Sequence, residues 1–301
     1  MDIKYTSLEW AKNTLPKRRN DANKGSYGRL FMYVGSETYP GAASLALESA
    51  LRGGVGYVEA GAEGELKKLL LSKFPETIFK SFTDANSLTD ADIERLVSEQ
   101  RRATATLVGC GSGKSNRLLS LVLALLSEDG GALVLDADAI NSMAIERDSA
   151  LTLLKGAKRS VILTPHPLEF SRLSGLDIDY VNKNRVECAV NFARENRVVL
   201  LLKGHETVIT DGYEVYINTS GSSALAKAGS GDTLAGLLSS LAATKVMPLV
   251  TVGAIAAFVH GRAGDNLSLE FSEYGVTPSD LPKAMAKVLA EIEAQITDDF
   301  E

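Results

Sequence analysis

The chain has 301 residues, of which 45% are hydrophobic and 23% charged, a composition typical of globular proteins with a large core and not of disordered chains. Its net charge of −6 and pI near 5.3 disfavour broad binding to nucleic acids or anionic membranes, so we expect small-molecule partners. With two cysteines, Cys110 and Cys188, no signal-peptide pattern and no apolar run of roughly 20 residues, we expect a cytoplasmic protein without a disulfide framework.

Short apolar runs alternate with helical patterns along the chain. This alternation predicts an α/β fold with a mainly parallel sheet and helices on both faces. No linker rich in proline, serine or charge interrupts it, so we expect residues 1–301 to form one domain. Ligands of such folds bind beyond the carboxyl ends of the strands. The predicted strands are 30–34, 57–60, 106–108, 133–135, 161–163 and 198–202, and the predicted helices include 42–51, 117–126 and 181–194.

Small residues follow the first apolar run, at 30–34. After Gly35 and Ser36, the segment 40–43 reads Pro-Gly-Ala-Ala and opens a predicted helix. Such a small first turn admits a ligand closely, although tight packing of the helix on the sheet explains it almost as well.

A glycine-rich turn follows the run at 106–108. The segment 109–115, Gly-Cys-Gly-Ser-Gly-Lys-Ser, looks like a phosphate-binding P-loop, but Gly109 and Gly113 enclose three residues where that motif needs four. Val108 also stands where the first glycine would have to be. We therefore expect a turn that lines a pocket with backbone, and a solvated Lys114.

Two carboxylates and a histidine follow the next two runs. Asp136 ends one strand and is a candidate to hold a hydrated magnesium ion through water, while Asp138 is a candidate helix cap. His166 stands between two prolines at the end of the following strand. That rigid placement suits ligand binding, and packing or capping is the alternative.

The run at 198–202 leads into Lys-Gly-His-Glu-Thr at 203–207 and then into a hairpin-like pair of strands that ends at 214–217. Lys203 and the Gly204 backbone are placed to meet phosphate or ribose, and a surface turn with an incidental lysine is the alternative. His260 lies in a largely apolar helix predicted at 250–266, and we assign it to packing.

The most informative segment is Gly-Ser-Gly-Asp at 229–232, ahead of an apolar run. A helix that begins near Gly231 aims free N–H groups and its positive dipole end at a phosphate. Asp232 in its first turn is then placed to take a proton from an attacking substrate hydroxyl. An ordinary capped helix with an aspartate in its first turn is the alternative.

Taken together, these motifs resemble those of the ADP- or ATP-dependent NAD(P)H-hydrate dehydratases, a branch of the ribokinase-like superfamily. The likeness spans most of the chain, and the order of the motifs makes it specific. It rests on Lys-Gly-Ser-Tyr-Gly-Arg at 24–29, Gly-Ser at 35–36, Pro-Gly-Ala-Ala at 40–43, Asp-Ala-Asp at 136–138, Thr-Pro-His-Pro-Leu-Glu at 164–169, Lys-Gly-His-Glu-Thr at 203–207 and Ala-Lys-Ala-Gly-Ser-Gly-Asp at 226–232.

The resemblance implies a role for each of these segments. Asp232 would be the catalytic base and would also contact the hydrated nucleotide. The other implied substrate-binding residues are Ala42, Ala43, Gly111, Gly113 and His166. The implied residues for ADP or AMP are Lys203, Gly204, His205, Glu206, Thr207, Gly229, Ser230 and Gly231.

The implied activity is the ADP-dependent dehydration of hydrated NADH or NADPH, with Mg²⁺ as cofactor and a homotetramer as the assembly. The length fits a stand-alone dehydratase without the epimerase domain that some relatives carry. Asn23 and Cys110 depart from the family pattern, which usually has histidine and proline there. The alternatives are a thiazole or hydroxymethylpyrimidine kinase of the same fold and a non-catalytic nucleotide-binding protein.

Overall fold

The computed structural model describes residues 2–62, 64–81 and 88–294. In these ranges the strands form one mixed sheet. The strands are β1 (Ile3–Tyr5), β2 (Arg29–Tyr33), β3 (Tyr57–Ala62), β4 (Ile78–Ser81), β5 (Ala105–Val108), β6 (Ala132–Leu135), β7 (Val161–Leu163), β8 (Val199–Leu202), β9 (Thr207–Thr210) and β10 (Val215–Asn218).

Helices connect most of the parallel strands and cover the sheet. They are α1 (Leu8–Thr14), α2 (Pro40–Arg52), α3 (Gly64–Lys73), α4 (Asp90–Gln100), α5 (Asn116–Ser127), α6 (Asp138–Met143), α7 (Arg147–Gly156), α8 (Pro167–Ser174), α9 (Ile178–Lys183), α10 (Arg185–Asn196), α11 (Ser230–Thr244), α12 (Leu249–Gly275) and α13 (Leu281–Ala294). No helix in the described ranges has both the length and the apolar character needed to cross a bilayer.

The strand order is β1-β10-β9-β8-β7-β6-β5-β2-β3-β4. Strand β9 is antiparallel to both of its neighbours, and the other pairs are parallel. The predicted, mainly parallel α/β sheet is therefore confirmed. The expected hairpin is formed by β9 and β10.

Two hydrophobic cores lie on opposite faces of the sheet. In β2, Leu30 and Met32 belong to the core that α2, α11, α12 and α13 cover, whereas Phe31 and Tyr33 belong to the core on the other face. Successive side chains of a strand point to opposite faces, so a strand buried on both faces is apolar throughout. This is why the sequence shows continuous apolar runs and not alternation.

Two elements differ from the sequence predictions. The helix predicted at 181–194 is two helices, because Asn184 has the non-helical dihedrals φ −127° and ψ 39° and its side chain donates to Tyr180 O at 3.0 Å. The edge strands β1 and β4 were not predicted. Their residues are exposed or only partly buried, so they carry no apolar run.

The helix that carries the Gly-Ser-Gly-Asp segment packs very closely on α2. Gly236 of α11 faces the backbone of Ala46, and a β-carbon at position 236 would overlap the Ala46 carbonyl group. The absence of a side chain at Gly236 therefore sets how near the two helices lie.

We expect Gly236→Ala to lower the free energy of unfolding by about 1–3 kcal/mol, because the added methyl group overpacks this contact. Gly156→Ala is the matched control, since no atom lies within 4 Å of a β-carbon at that position near the end of α7. Urea denaturation of both variants checks this. Equal losses of stability in the two variants would contradict the proposed contact.

Candidate active site

Three adjacent strands each end in a polar side chain at the same edge of the sheet. Asp136 follows β6, Thr164 follows β7 and Lys203 follows β8. The Thr164 hydroxyl donates to Asp136 Oδ1 at 2.7 Å, and Lys203 Nζ lies 2.8 Å from the same oxygen. Asp136 is 1% exposed. Burial lowers the pKa of Lys203, but interactions with neighbouring groups, above all Asp136 and Glu169, raise it by more than burial lowers it. The net pKa is therefore raised, and the ammonium group stays charged.

Helix α11 points its N-terminus at this polar edge. It begins at Ser230, one residue before the predicted start, and Gly229 caps it with φ 103°, a conformation that glycine adopts readily. The first-turn N–H groups have no carbonyl partner within the helix, and the dipole adds positive potential. Lys203 Nζ lies 3.4 Å from where a β-carbon on Gly231 would be. The segment therefore suits an anion, with a cation beside it.

Asp232 lies in the first turn of α11 and is partly exposed. Burial raises the pKa of its carboxyl group to about 6; Asp136 raises it too, while Lys203 and Cys110 lower it. At pH 7 the group is therefore mostly ionised, yet it is a stronger base than an ordinary aspartate. Because Asp232 is partly exposed, a ligand at this edge of the sheet could reach it.

The glycine turn at 109–113 lies between β5 and α5 and reaches the same edge. Gly109, Gly111 and Gly113 all have positive φ, and Gly113 N donates to Asp138 Oδ2 at 2.9 Å. Asp138 thus fixes this turn instead of acting as a helix N-cap. The neighbouring Ala137 has φ 46°, an unfavourable value for a residue with a side chain, and it separates the two aspartates.

Ala42 and Ala43 open α2 beside this turn. A β-carbon on Gly111 would lie 2.6 Å from Ala42 Cβ, so these two residues are direct neighbours. Ala43 is fully buried and packs against Gly35, whereas Ala42 is partly exposed. Of the two alanines, only Ala42 therefore has surface that a ligand can reach, and Ala43 is covered in this structure.

His166 is the N-cap of α8. Its Nδ1 accepts from Glu169 N at 3.3 Å, and its backbone N–H donates to Glu169 Oε2 at 2.9 Å. Its side chain is 46% exposed. Burial lowers the pKa of His166 by more than the neighbouring Glu169 raises it, so the net pKa is lowered and the ring is mostly neutral at pH 7. The capping alternative is therefore observed, and Nε2 lies 3.3 Å from Glu169 Oε1, so a ligand would meet the exposed part of a ring that Glu169 already contacts.

A cavity of about 640 Å³ lies next to the N-terminus of α11. Its wall includes seven of the eight residues implied for the adenine nucleotide, and the eighth, Gly229, caps the helix that forms part of the wall. The sequence-predicted residues on this wall are Lys203, Gly204, His205, Glu206, Thr207, Ser230 and Gly231.

The rest of the wall was missed by sequence reasoning. The small residues at 220–223, which follow β10, were a usable signal because a turn of small side chains leaves room for a ligand. His260 and Glu273 come from α12, and no local pattern placed them here. The missed residues are Asn218, Ser220, Gly221, Ser222, Ser223, Leu225, Ala226, Leu234, Ala257, His260, Gly261 and Glu273.

His260 is buried, as predicted, and it also supports the first turn of α11. Its Nε2 lies 3.1 Å from Thr233 Oγ1, and that hydroxyl donates to Ser230 O at 2.8 Å. Burial lowers the pKa of His260 to about 4, so the ring is neutral. Within the described ranges, Ser230 Oγ is buried without a hydrogen-bond partner at the cavity wall.

The described contacts of Asp136 leave little room for a directly coordinated magnesium ion, and the site predicted there through water stays a prediction. Thr164 and Lys203 contact Oδ1, and the Cys110 thiol lies 3.5 Å from Oδ2. In the described part of the chain, one group of potential ligand atoms lies within 4.8 Å of one another, from Cys110, Asp136 and Asp232. Magnesium prefers hard oxygen ligands, so a thiol and a neighbouring ammonium fit it poorly.

Asn23, the other departure from the family pattern, lies away from this site. It caps the short 3₁₀ helix Lys24–Tyr27 by accepting from Gly25 N at 2.8 Å. That helix precedes β2, at the amino end of the strand. The substitution therefore does not touch the polar edge.

Comparison with known proteins gives a consistent assignment. The family model for NAD(P)H-hydrate dehydratase matches residues 30–287. The chain is 34% identical to a bifunctional NAD(P)H-hydrate repair enzyme of Moorella thermoacetica, over 95% of this chain and 54% of that protein. It is 30% identical to the ADP-dependent (S)-NAD(P)H-hydrate dehydratase of Bacillus subtilis, over 97% of this chain and 100% of that protein. The chain thus spans about half the length of the bifunctional curated relatives it matches.

Solved structures confirm the ribokinase-like fold. The ADP/ATP-dependent NAD(P)H-hydrate dehydratase of Bacillus subtilis, co-crystallised with ATP and Mg²⁺, aligns with a TM-score of 0.82 and 26% identity over 97% of this chain and 99% of that one. A hydroxyethylthiazole kinase of Pyrococcus horikoshii aligns over 87% of each chain with a TM-score of only 0.55 and 15% identity, which shows the fold alone. Since the family model covers most of the sequence and both relatives align along nearly all of it, the chain belongs to the NAD(P)H-hydrate dehydratase family.

Proposed function

We propose that this protein catalyses the ADP-dependent dehydration of the (6S) hydrate of NADH or NADPH, with release of AMP and phosphate. One observation carries the proposal. The partly exposed Asp232 carboxylate, with a pKa of about 6, lies in the first turn of α11, close to Lys203 and next to a cavity large enough for a nucleotide. A base and an anion-binding helix end are therefore adjacent.

In the first step Asp232 accepts the proton of the substrate hydroxyl. The hydroxyl oxygen then forms a bond to the β-phosphorus of ADP, the bond from that phosphorus to the bridging oxygen breaks, and AMP leaves. The N–H groups of Gly229 and Gly231 donate to the transferring phosphoryl group, whereas that of Ser230 already donates to Lys227 O at 3.2 Å. Lys203 adds positive charge beside them. The product of this step is a phosphate ester of the hydrate.

The second step follows from the chemistry of that ester. The ester carbon is bonded to the ring nitrogen, whose lone pair expels phosphate and leaves an iminium ion. Loss of a proton from the neighbouring ring carbon restores the reduced nicotinamide. The chain therefore has to hold the ring in place and exclude water, and Ala42, Gly111, Gly113 and His166 are the residues we assign to that surface.

The adenine nucleotide is assigned to the cavity beside α11. The loop 203–207 and the segment 229–231 would hold its phosphates and ribose, in line with the implied roles. Magnesium would arrive with the phosphates and neutralise their charge, and its contact with Asp136 through water stays a prediction. A homotetramer and a cytoplasmic location stay predictions; the exposed Leu269 and Tyr274, 89% and 96% accessible, are available for subunit contacts.

A turnover assay with hydrated NADH, offering ADP and ATP separately, tests the proposed function. We expect phosphate release in step with recovery of the reduced-nicotinamide absorbance. A stable phosphorylated product without phosphate release would instead indicate a small-molecule kinase. Nucleotide binding without any turnover would indicate a non-catalytic protein.

We expect Asp232→Asn to lower kcat by about 10²- to 10⁴-fold, because the amide cannot accept the hydroxyl proton. The affinity for ADP should change little, and calorimetric titration measures it. Asp90→Asn is the isosteric control, since Asp90 is exposed and pairs with Arg117 away from the site. Full turnover by the Asp232 variant would eliminate the proposed base.

The same variant should change how stability depends on pH. The pKa of Asp232 is about 6 in the folded protein against 3.8 for an ordinary aspartate, so between these values the folded state binds more protons than the unfolded state. The contribution of Asp232 to the free energy of unfolding therefore decreases as pH rises from about 4 to 6. Asparagine does not titrate, so the stability of Asp232→Asn relative to wild type should increase across that window by on the order of 2 kcal/mol. Urea denaturation at several pH values measures it, and a constant difference would refute the raised pKa.

We expect Ser230→Ala to raise the KM for ADP by about 5- to 10-fold. The buried Ser230 hydroxyl has no hydrogen-bond partner in the described part of the protein, and in the proposed complex it bonds to the nucleotide. The melting temperature should stay the same, since no hydrogen bond within the protein is lost. Ser239→Ala in the same helix is the control: Ser239 Oγ donates to Ala235 O at 2.7 Å, away from the cavity. An unchanged KM in the Ser230 variant would remove this residue from the nucleotide site.

A further inference from the structure

Cys110 lies between the two carboxylates of the reaction centre. Its thiol donates to Asp136 Oδ2 at an S···O distance of 3.5 Å. The sulfur and one oxygen from each of Asp136 and Asp232 all lie within 4.8 Å of one another. Cys110 is fully buried, and burial raises the pKa of its thiol well above the usual value, with both aspartates adding to the effect. The group is thus a neutral donor at working pH.

The backbone of the glycine turn determines where this thiol points. Gly109 and Gly111 both have positive φ, and a β-carbon on Gly109 would overlap the backbone of Asp136. The carbonyl of Cys110 accepts from Gly35 N at 2.7 Å, which ties the turn to the end of β2. The backbone around Cys110 is therefore tightly held, and it directs the Cys110 thiol at the carboxylates.

The hydrogen bonds of Asp136 show what the thiol at position 110 contributes in this chain. Thr164 and Lys203 both contact Oδ1, and the thiol is the donor on Oδ2. Without the thiol, a buried carboxylate oxygen would lose its hydrogen bond and would face Asp232 directly. Two carboxylates at short range repel each other, so Asp232 would turn away or take up a proton.

We propose that Cys110 is a positioning residue that holds the Asp136 and Asp232 carboxylates in a fixed arrangement, so that Asp232 stays aimed at the substrate hydroxyl. The proposal rests on the proposed function, in which Asp232 is the base. It assigns no covalent or redox chemistry to the thiol. It concerns a residue at which this chain departs from the Gly-Pro-Gly turn usual in its family.

Kinetics of Cys110→Ala and Cys110→Ser test the catalytic part of the proposal. We expect the alanine variant to lower kcat by about 5- to 10-fold with an unchanged KM for ADP, and the serine variant to recover most of the loss, because its hydroxyl also donates. Cys188→Ala is the control, since Cys188 is also buried, at 4% exposure, but lies in α10. Full activity in Cys110→Ala, or equal losses in the alanine and serine variants, would overturn the proposal.

Infrared spectroscopy of the S–H stretch gives a readout that does not depend on turnover. The chain has two cysteines, and Cys188→Ala assigns their two bands. We expect Asp232→Asn to shift the band of Cys110 and to leave that of Cys188 in place. An unshifted Cys110 band would overturn the proposal even in an active enzyme. If wild type failed to turn over, the proposed function would be lost, and this spectrum would still decide whether the thiol lies between the two carboxylates.

Discussion

The ion pair between the partly exposed Lys203 and the buried Asp136 is the interaction on which the site depends. An isolated charge in the interior is strongly unfavourable, so the Asp136 carboxylate is tolerable only while Lys203 is held nearby. The parallel sheet meets this condition, because the two residues follow β8 and β6 and Thr164 follows the strand between them. The pair in turn holds Lys203 Nζ beside Gly231, where the first turn of α11 presents its N–H groups.

The ion pair also sets the chemistry of Asp232. Asp136 and burial both disfavour its ionised form, while Lys203 and Cys110 favour it, and the balance leaves a pKa of about 6. A base of this kind is ionised at neutral pH but still holds a proton better than an ordinary aspartate does. The cavity beside α11 is lined by Gly231, the residue before this group, and the glycine turn contributes Cys110, whose thiol contacts Asp136.

The fold and most of the polar edge were predictable from the sequence, for a physical reason. Strands buried on both faces produce apolar runs, and the residue after each run must lie at the ligand-binding edge, which identified Asp136 and Lys203 as candidates. The ion pair between Asp136 and Lys203 was not predictable. The order of the strands in the sheet decides which strand ends are neighbours, and no local sequence pattern gives that order. For the same reason sequence reasoning assigned His260 to packing alone, although it supports α11 from a distant helix. It also missed the break at Asn184, since the helical periodicity continues across that residue.

The ion pair finally constrains how a nucleotide can be held. The charge of Lys203 is already paired with Asp136, so the positive charge that Lys203 offers to phosphates in the proposed reaction is partly offset. The remaining attraction has to come from the N–H groups and dipole of α11, which act only at the helix end, and from any cation that the phosphates bring. A further negative charge near this point would oppose phosphate binding, and a further positive charge would draw Asp136 away from Lys203. A neutral hydrogen-bond donor at position 110 does neither, because it satisfies Asp136 without changing the charge of the site.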